Sequence, residues 1–270
     1  MKRVLSIQDL SCVGRCSLTV TLPVLSAMGC RCSVLPTAVL STHTGFPDPE
    51  VVPLTEQIPA FHAHWNSVGI RFDAVTTGYM ANDKQADAVL PLLHDYKAQG
   101  STVVADPAMG DHGKLYSRLD QNHVSAMAKL CGEADILLPN VTEAALLTGM
   151  PYRENTDEPY LLELTESLLQ TYGTRSVVIT GVTGKDGTIG FYGGDHNGNR
   201  FSYQTPVVPR QCHGTGDLYT AVFTGGLMRG LSEYDSGVLA ADFVRRCVAN
   251  TLEVSPHGVA FESQLSYLFA

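Results

Sequence analysis

Short, β-branched apolar runs alternate with longer segments of helical period from the first residues to about Gly181, and this constrains the fold more than any other feature. Such runs are too apolar to face water on either side. They predict an α/β fold of three layers, a mostly parallel central sheet with helices on both faces. The candidate strands are Val4 to Gln8, Cys32 to Leu40, Ala74 to Gly78, Thr102 to Asp106, Ile136 to Pro139 and Ser176 to Thr180. Between them, Asn82 to Gln99 sets Ala86, Val89, Leu90, Leu93 and Tyr96 on one helical stripe behind an Asn or Asp cap. Glu158 to Tyr172 repeats the pattern. After Gly181 the texture changes: Gly187 to Tyr192 and Arg200 to Thr205 read as a hairpin, followed by helices over Gly216 to Arg229 and Glu233 to Leu252. With no internal repeat and no Pro/Gly/Ser linker, residues 1–270 read as one domain. The segment Ser41 to Pro53 reads either as a flap over a site or as an ordinary surface loop.

Charge narrows the partners. Eighteen Lys and Arg against 27 Asp and Glu give a formal charge of -9, which repels a polyanion, so nucleic acid is not an expected partner. The N-terminal run reaches Asp9 before any long apolar stretch, and no segment has the roughly 18 uninterrupted apolar residues of a spanning helix. The expectation is a soluble, cytoplasmic protein without a membrane partner. Its seven cysteines are odd in number and read as reduced thiols; Cys12 with Cys16 and Cys30 with Cys32 lack the spacing of a zinc knuckle. Cys212 reads as a reactive thiol or, in preference, as small buried packing, and His62, His64 and His94 as solvent-facing helix residues.

The chemistry is concentrated in a few motifs. His213-Gly214-Thr215-Gly216-Asp217 stands at the start of an amphipathic helix, where unpaired amides and the positive end of the dipole make a site for phosphate. Asp217 beside such a hole is either the base that takes a proton from an alcohol substrate or an inert first-turn acid favoured by the dipole. Asp106 ends a buried strand and opens Asp106-Pro107-Ala108-Met109-Gly110, on the edge where open α/β sheets bind ligands. On the same edge, Asn140-Val141-Thr142-Glu143 is equally a helix-capping pattern. Three acids and an Asn there suit hydrated Mg²⁺, which takes few carboxylates and keeps waters and phosphates. Gly181 to Gly187 lacks the P-loop spacing and leads into a strand, yet it leaves the Thr180 and Thr183 hydroxyls within reach of a phosphate.

In chain order, Asp-Pro-x-Met-Gly, Asn-x-x-Glu and Gly-Thr-Gly-Asp resemble the ribokinase-like superfamily over nearly the whole chain. Ile7-Gln8, Ser41-Thr42-His43-Thr44-Gly45-Phe46, Gly78-Tyr79-Met80 and Asp106 to Gly110 look like its pyridoxal kinase branch. The resemblance implies a ribokinase-like fold and ATP-dependent phosphorylation of the 5′-hydroxymethyl group of a vitamin B6 vitamer. Asp217 would be the base, and the amides of Gly214, Thr215, Gly216 and Asp217 the anion hole. Asp106 and Glu143 would organise Mg²⁺ and phosphates; Asn140, Thr180, Thr183 and the segment Thr205, Pro206, Val207 and Val208 would lie along ATP. Asp9, Thr44, Gly45 and Tyr79 would surround the pyridine ring. ATP and Mg²⁺ are the implied cofactors, a monovalent cation is a further candidate, and the implied assembly is a homodimer. Asp9 departs from the Ser that many pyridoxal kinases carry after Ile-Gln, and Thr180 departs from the Lys common on the nucleotide strand, which puts vitamer preference in question. Two alternatives stand beside this reading: a hydroxymethylpyrimidine kinase of thiamine synthesis, and a non-catalytic B6 vitamer carrier or sensor.

Overall fold

A computed structural model describes residues 1–117, 119–251 and 256–269. Buried strands alternate with helices from the start: β1 (Arg3–Ser11), α1 (Leu18–Ala27), β2 (Arg31–Leu40), β3 (Val51–Pro53), α2 (Gln57–Ser67), β4 (Ala74–Thr77), α3 (Asp83–Ala98) and β5 (Thr102–Ala105). There follow β6 (Gly110–Asp111), β7 (Lys114–Leu115), α4 (Gln121–Glu133), β8 (Ile136–Leu137), α5 (Val141–Thr148), α6 (Glu158–Tyr172) and β9 (Ser176–Thr183). The hairpin β10 (Thr188–Asp195) and β11 (Arg200–Pro206), then α7 (Thr215–Met228), α8 (Glu233–Asn250) and a 3₁₀ helix (Glu262–Leu268) complete the chain.

The main sheet has the order β11-β10-β9-β8-β5-β4-β1-β2-β3. Its centre is parallel, and the antiparallel pairs are β2 with β3, β9 with β10 and β10 with β11. The period of two along each strand divides the core. Leu5, Ile7, Val75, Val103, Leu137, Val177 and Ile179 pack beneath α3 to α6, whereas Val4, Ala74, Val104, Ile136 and Val178 pack beneath α1, α7 and α8. Both faces are therefore closed to water. The carboxyl ends of the parallel strands are left as the edge where polar side chains meet, as expected for an open α/β sheet. Among the described residues no helix is long and apolar enough to cross a membrane.

The predicted strands and helices form, with differences at their ends. The Ser41 to Pro53 segment is not wholly a loop, since Val51–Pro53 adds an antiparallel edge strand to β2. The hairpin runs on through Gly193 and Gly194 to Asp195, and its turn spans Asp195 to Asn199, where Asp195 Oδ1 accepts from the amides of Asn197 and Asn199. Gly193 and Gly194 stay in the strand because a side chain at either would collide with Phe201, Arg200 or Thr165. Helix α8 ends at Asn250, and Leu252 lies outside the described residues. His62 is not solvent-facing: its ring is 12% exposed and contacts Asp95 at 3.1 Å between α2 and α3. His64 and His94 are exposed as expected.

Phe191 of β10 joins the hairpin to the helical layer. It is fully buried, lies 6.2–6.4 Å from the rings of Phe201, Tyr203, Tyr219 and Tyr234, and presses on Gly237 of α8. Phe191→Ala is expected to destabilise the protein by about 3–5 kcal/mol, read as a lower denaturant midpoint at unchanged slope.

Candidate active site

Four acids, one from β1, one behind β5 and two from the first turns of α5 and α7, come together at the carboxyl edge of the sheet. Asp217 belongs to the first turn of α7, whose N-cap is Gly214. Gly214 has φ +81°, and a Cβ there would stand 2.0 Å from the carbonyl oxygen of Arg15, so no other residue fits. Gly258, with φ +89°, comes equally close to Arg15 and His213. The amides of Thr215, Gly216 and Asp217 have no intrahelical acceptor and point out of the helix start, and the space beside the Gly216 Cα is open. The helix start thus presents unpaired amides at its positive end, the local geometry that suits a phosphate.

The Asp217 carboxylate accepts from the backbone N–H of Ser17 at 2.8 Å. Burial pushes Asp217 up to about 6; the Ser17 bond opposes the rise and the charge of Asp9 adds to it. Asp9 is 3% exposed and accepts from the hydroxyls of Ser17 and Ser11 at 2.5 and 2.9 Å. Its carboxyl is also raised, chiefly by burial, with both serines opposing. Asp9 stands where β1 and β2 lose register, between Gln8 opposite Pro36 and Leu10 opposite Val39.

Asp106 and Glu143 form the other half. Asp106 accepts from the Thr220 hydroxyl at 2.7 Å, and burial, then the charge of Glu143, drives it well above the ordinary carboxylate range. Glu143 accepts from the amides of Met109 at 3.0 Å, Gly110 at 3.5 Å and Asn140 at 2.9 Å, yet burial still pushes it up to about 7. Asn140 completes the capping box by accepting from the Glu143 amide, while its side-chain amide donates to Gly110. The capping pattern and the site are thus the same residues. Cap and ligand readings are not exclusive, because the amides fix Glu143 where it faces Asp106.

Of the remaining expected residues, Thr180 lies beside Asn140 through a parallel bridge. Thr183 and Thr205 both pair with Ile189 and so share one row across β9, β10 and β11. Thr205 is buried, Pro206 and Val207 are exposed, and the Thr183 hydroxyl donates to the Glu154 carbonyl at 3.3 Å. On the opposite side, Gly45 meets His213: a Cβ at Gly45 would lie 2.7 Å from that ring, which brings the Ser41 to Phe46 segment against the turn before α7. His43 holds the flap there, accepting from the Gly45 amide at 3.0 Å, donating to the Pro256 carbonyl and packing 4.9 Å from the His213 ring. Thr44 is exposed on this flap, and Tyr79 follows β4 with its carbonyl bonded to Thr37.

Three residues were not found from the sequence: Ser17, Cys16 and Tyr116. Cys16 adjoins Gly214 and Asp217; burial and the charges of Asp217 and Asp9 push its thiol up, so it stays protonated. Tyr116 follows the β6–β7 hairpin, and burial together with Glu143 and Asp106 pushes its phenol up. Ser17 takes φ 51° and ψ -128°, a glycine conformation that costs a Ser on the order of 1–3 kcal/mol. Nothing in local sequence marks it, because its partners are 8 and 200 positions away. Cys212 is partly buried and packs against the α7 and α8 side of the core.

Residues 21–260 match the model of the phosphomethylpyrimidine kinase family. A pyridoxal kinase of Arabidopsis thaliana is 30% identical over 243 residues, 83% of this chain and 73% of the plant protein. The crystal structure of pyridoxal kinase from Lactobacillus plantarum superposes with a TM-score of 0.89 at 35% identity, covering 99% of this chain and 96% of that one. A Bacteroides thetaiotaomicron protein of phosphomethylpyrimidine kinase type, crystallised with pyridoxal, gives a TM-score of 0.94 at 34% identity, with 100% and 96% covered.

Carboxyls raised by folding bind protons more tightly in the folded chain. Their contribution to stability is therefore lost as pH rises from the ordinary range near 4 toward the folded values of about 6 for Asp217 and about 7 for Glu143. Buried His43 and His123, whose pKa values are lowered, act with the opposite sign. The difference between the wild type and Glu143→Gln is accordingly the readout. Without divalent cation, the melting temperature of the wild type is expected to fall relative to the variant between about pH 5 and about pH 7.5. Parallel curves would contradict the assignment.

Proposed function

Because the chain belongs to the phosphomethylpyrimidine kinase family, in its pyridoxal kinase branch, we propose that it is a vitamin B6 kinase with the ribokinase-like fold, acting as a single domain. It transfers the γ-phosphoryl group of ATP to the 5′-hydroxymethyl group of pyridoxal, pyridoxamine or pyridoxine. The observation that carries this reading is the buried carboxylate of Asp217 beside the unpaired amides of the α7 start. A carboxylate raised to about 6 is ionised at neutral pH and more basic than an ordinary Asp, so it accepts the hydroxyl proton as the oxygen attacks. The amides of Gly214, Thr215, Gly216 and Asp217 donate to the phosphoryl oxygens as charge develops there.

Asp106 and Glu143 are two buried acids, both raised chiefly by burial, with the charge of Glu143 adding to the rise of Asp106, a donor set that fits a divalent cation. Mg²⁺ held between them would neutralise nucleotide phosphates, with waters and phosphate oxygens as its other ligands, and a monovalent cation is a further candidate cofactor. Asn140, Thr180, Thr183 and Thr205 to Val208 line the nucleotide. Asp9, Thr44, Gly45 and Tyr79 surround the vitamer ring under the flap. Seven free cysteines agree with a reducing, cytoplasmic setting. Exposed Val34 and Val52 near the β2–β3 edge offer surface for a homodimer.

A second reading, phosphorylation of hydroxymethylpyrimidine, is favoured by the family whose model matches residues 21–260. A carrier that only binds the vitamer would have no use for a base beside an anion hole. ATP-dependent phosphorylation of the three vitamers and of hydroxymethylpyrimidine, measured side by side with and without Mg²⁺, separates these readings. Asp217→Asn is expected to lower kcat for the B6 vitamer by about 10²- to 10⁴-fold while vitamer binding persists. Turnover of hydroxymethylpyrimidine alone would transfer the protein to the second reading, and full activity of the variant would remove Asp217 from the chemistry.

A further inference from the structure

Asp9 and Asp217 are not independent acids, because one residue holds both. The Ser17 backbone N–H donates to Asp217 at 2.8 Å, and its hydroxyl donates to Asp9 at 2.5 Å. It does so with φ 51° and ψ -128°, its N–H directed to Asp217 of α7 and its hydroxyl to Asp9 of β1. A glycine would adopt that conformation without strain but would carry no hydroxyl. The strained residue is therefore also the one whose side chain the second carboxylate requires.

We propose that Ser17 is a positioning residue that couples Asp9 to Asp217, so that the vitamer-side carboxylate and the base act as one electrostatic unit. This deepens the kinase reading and rests on Asp217 being its base. The titratable groups facing Asp217 are Asp9 from β1, Cys16 from the loop before α1, Asp106 behind β5 and Tyr116 behind β7. Burial pushes both Cys16 and Tyr116 up, which keeps them neutral; Asp106 accepts from Thr220, and its rise comes from burial and the charge of Glu143 ahead of any effect of Asp217. Asp9 is the neighbour whose charge raises Asp217. The hydroxyls of Ser17 and Ser11 favour the ionised form of Asp9, so the Ser17 bond sustains that charge.

The test is the pH profile of kcat/KM for a B6 vitamer in the wild type, Asp9→Asn and Ser17→Gly. Removing the Asp9 charge lets Asp217 ionise more readily, so the acid limb of Asp9→Asn is expected to move to lower pH. Each half-unit of displacement corresponds to about a threefold gain in rate below the limb relative to the plateau. Ser17→Gly, which suits the backbone and removes the hydroxyl alone, is expected to move the limb the same way, because Asp9 then holds its proton more firmly. A merely structural role would lower the plateau and leave the limb in place, and limbs unmoved in both variants overturn the coupling. Absence of B6 turnover in the wild type would overturn the kinase reading itself, and the coupling with it.

Discussion

Uncompensated negative charge is the constraint around which the site is organised. Asp9, Asp106, Glu143 and Asp217 meet at one sheet edge, and none of the ion pairs among the described residues includes any of them. Each is held by neutral donors: serine hydroxyls for Asp9, a backbone amide for Asp217, a threonine hydroxyl for Asp106 and three amides for Glu143. Neutral donors orient a carboxylate without cancelling its charge. Its proton affinity therefore remains raised, and the site retains an attraction for cations that an Arg or Lys partner would have extinguished. A sheet buried on both faces can place such groups only at its ends, so the apolar layers and the acidic edge are two consequences of one topology.

How much of this was legible follows from the range of each interaction. The strands of the parallel core were readable because burial on both faces forces them to be apolar throughout, and α3 and α6 because one face repeats every three to four residues. The two-residue strands β6 and β7 were not readable, since no period can be expressed in so short a span. Asp217, Asp106 and the Asn140–Glu143 pair stand out in the sequence because glycine turns, strand ends and helix caps are local patterns. Ser17 and Tyr116 escaped because their roles come from tertiary approach. His62 illustrates the same limit: its helix was identified as a surface element, but its ring is held by Asp95 from a neighbouring helix.

Tertiary approach also explains why the start of α7 is more than a glycine-rich turn. The Arg15 amide donates to the His257 carbonyl at 2.7 Å, the Val259 amide donates to the His213 carbonyl at 3.0 Å, and Arg15 reaches Glu262. The loop before α1, the turn before α7 and the C-terminal segment are thereby laced together at backbone level. Gly214 and Gly258 are the points of closest approach, where any side chain would strike the Arg15 carbonyl. His43 ties the flap into the same assembly through Pro256. The start of α7 is thus fixed by the C-terminal segment, 46 positions on at the His213–Val259 bond, which is itself tied to the loop before α1 across the 242 positions between Arg15 and His257.

Asp217 at the start of α7 raises an apparent conflict, since an acid there repels the phosphate that the same amides attract. The geometry resolves it by division of labour. In the proposed reaction the helix dipole and free amides would act on the phosphoryl oxygens, while the Ser17 amide holds the carboxylate toward the loop before α1 and the end of β1, on the side of Asp9. In the proposed reaction that is the side from which the alcohol would approach, away from the phosphate. The dipole, which favours an anion, works against burial, which disfavours one, and the charge of Asp9 adds to burial. The balance leaves Asp217 ionised at neutral pH but more basic than a carboxylate in water, the condition under which a weak alcohol acid can be deprotonated as it attacks.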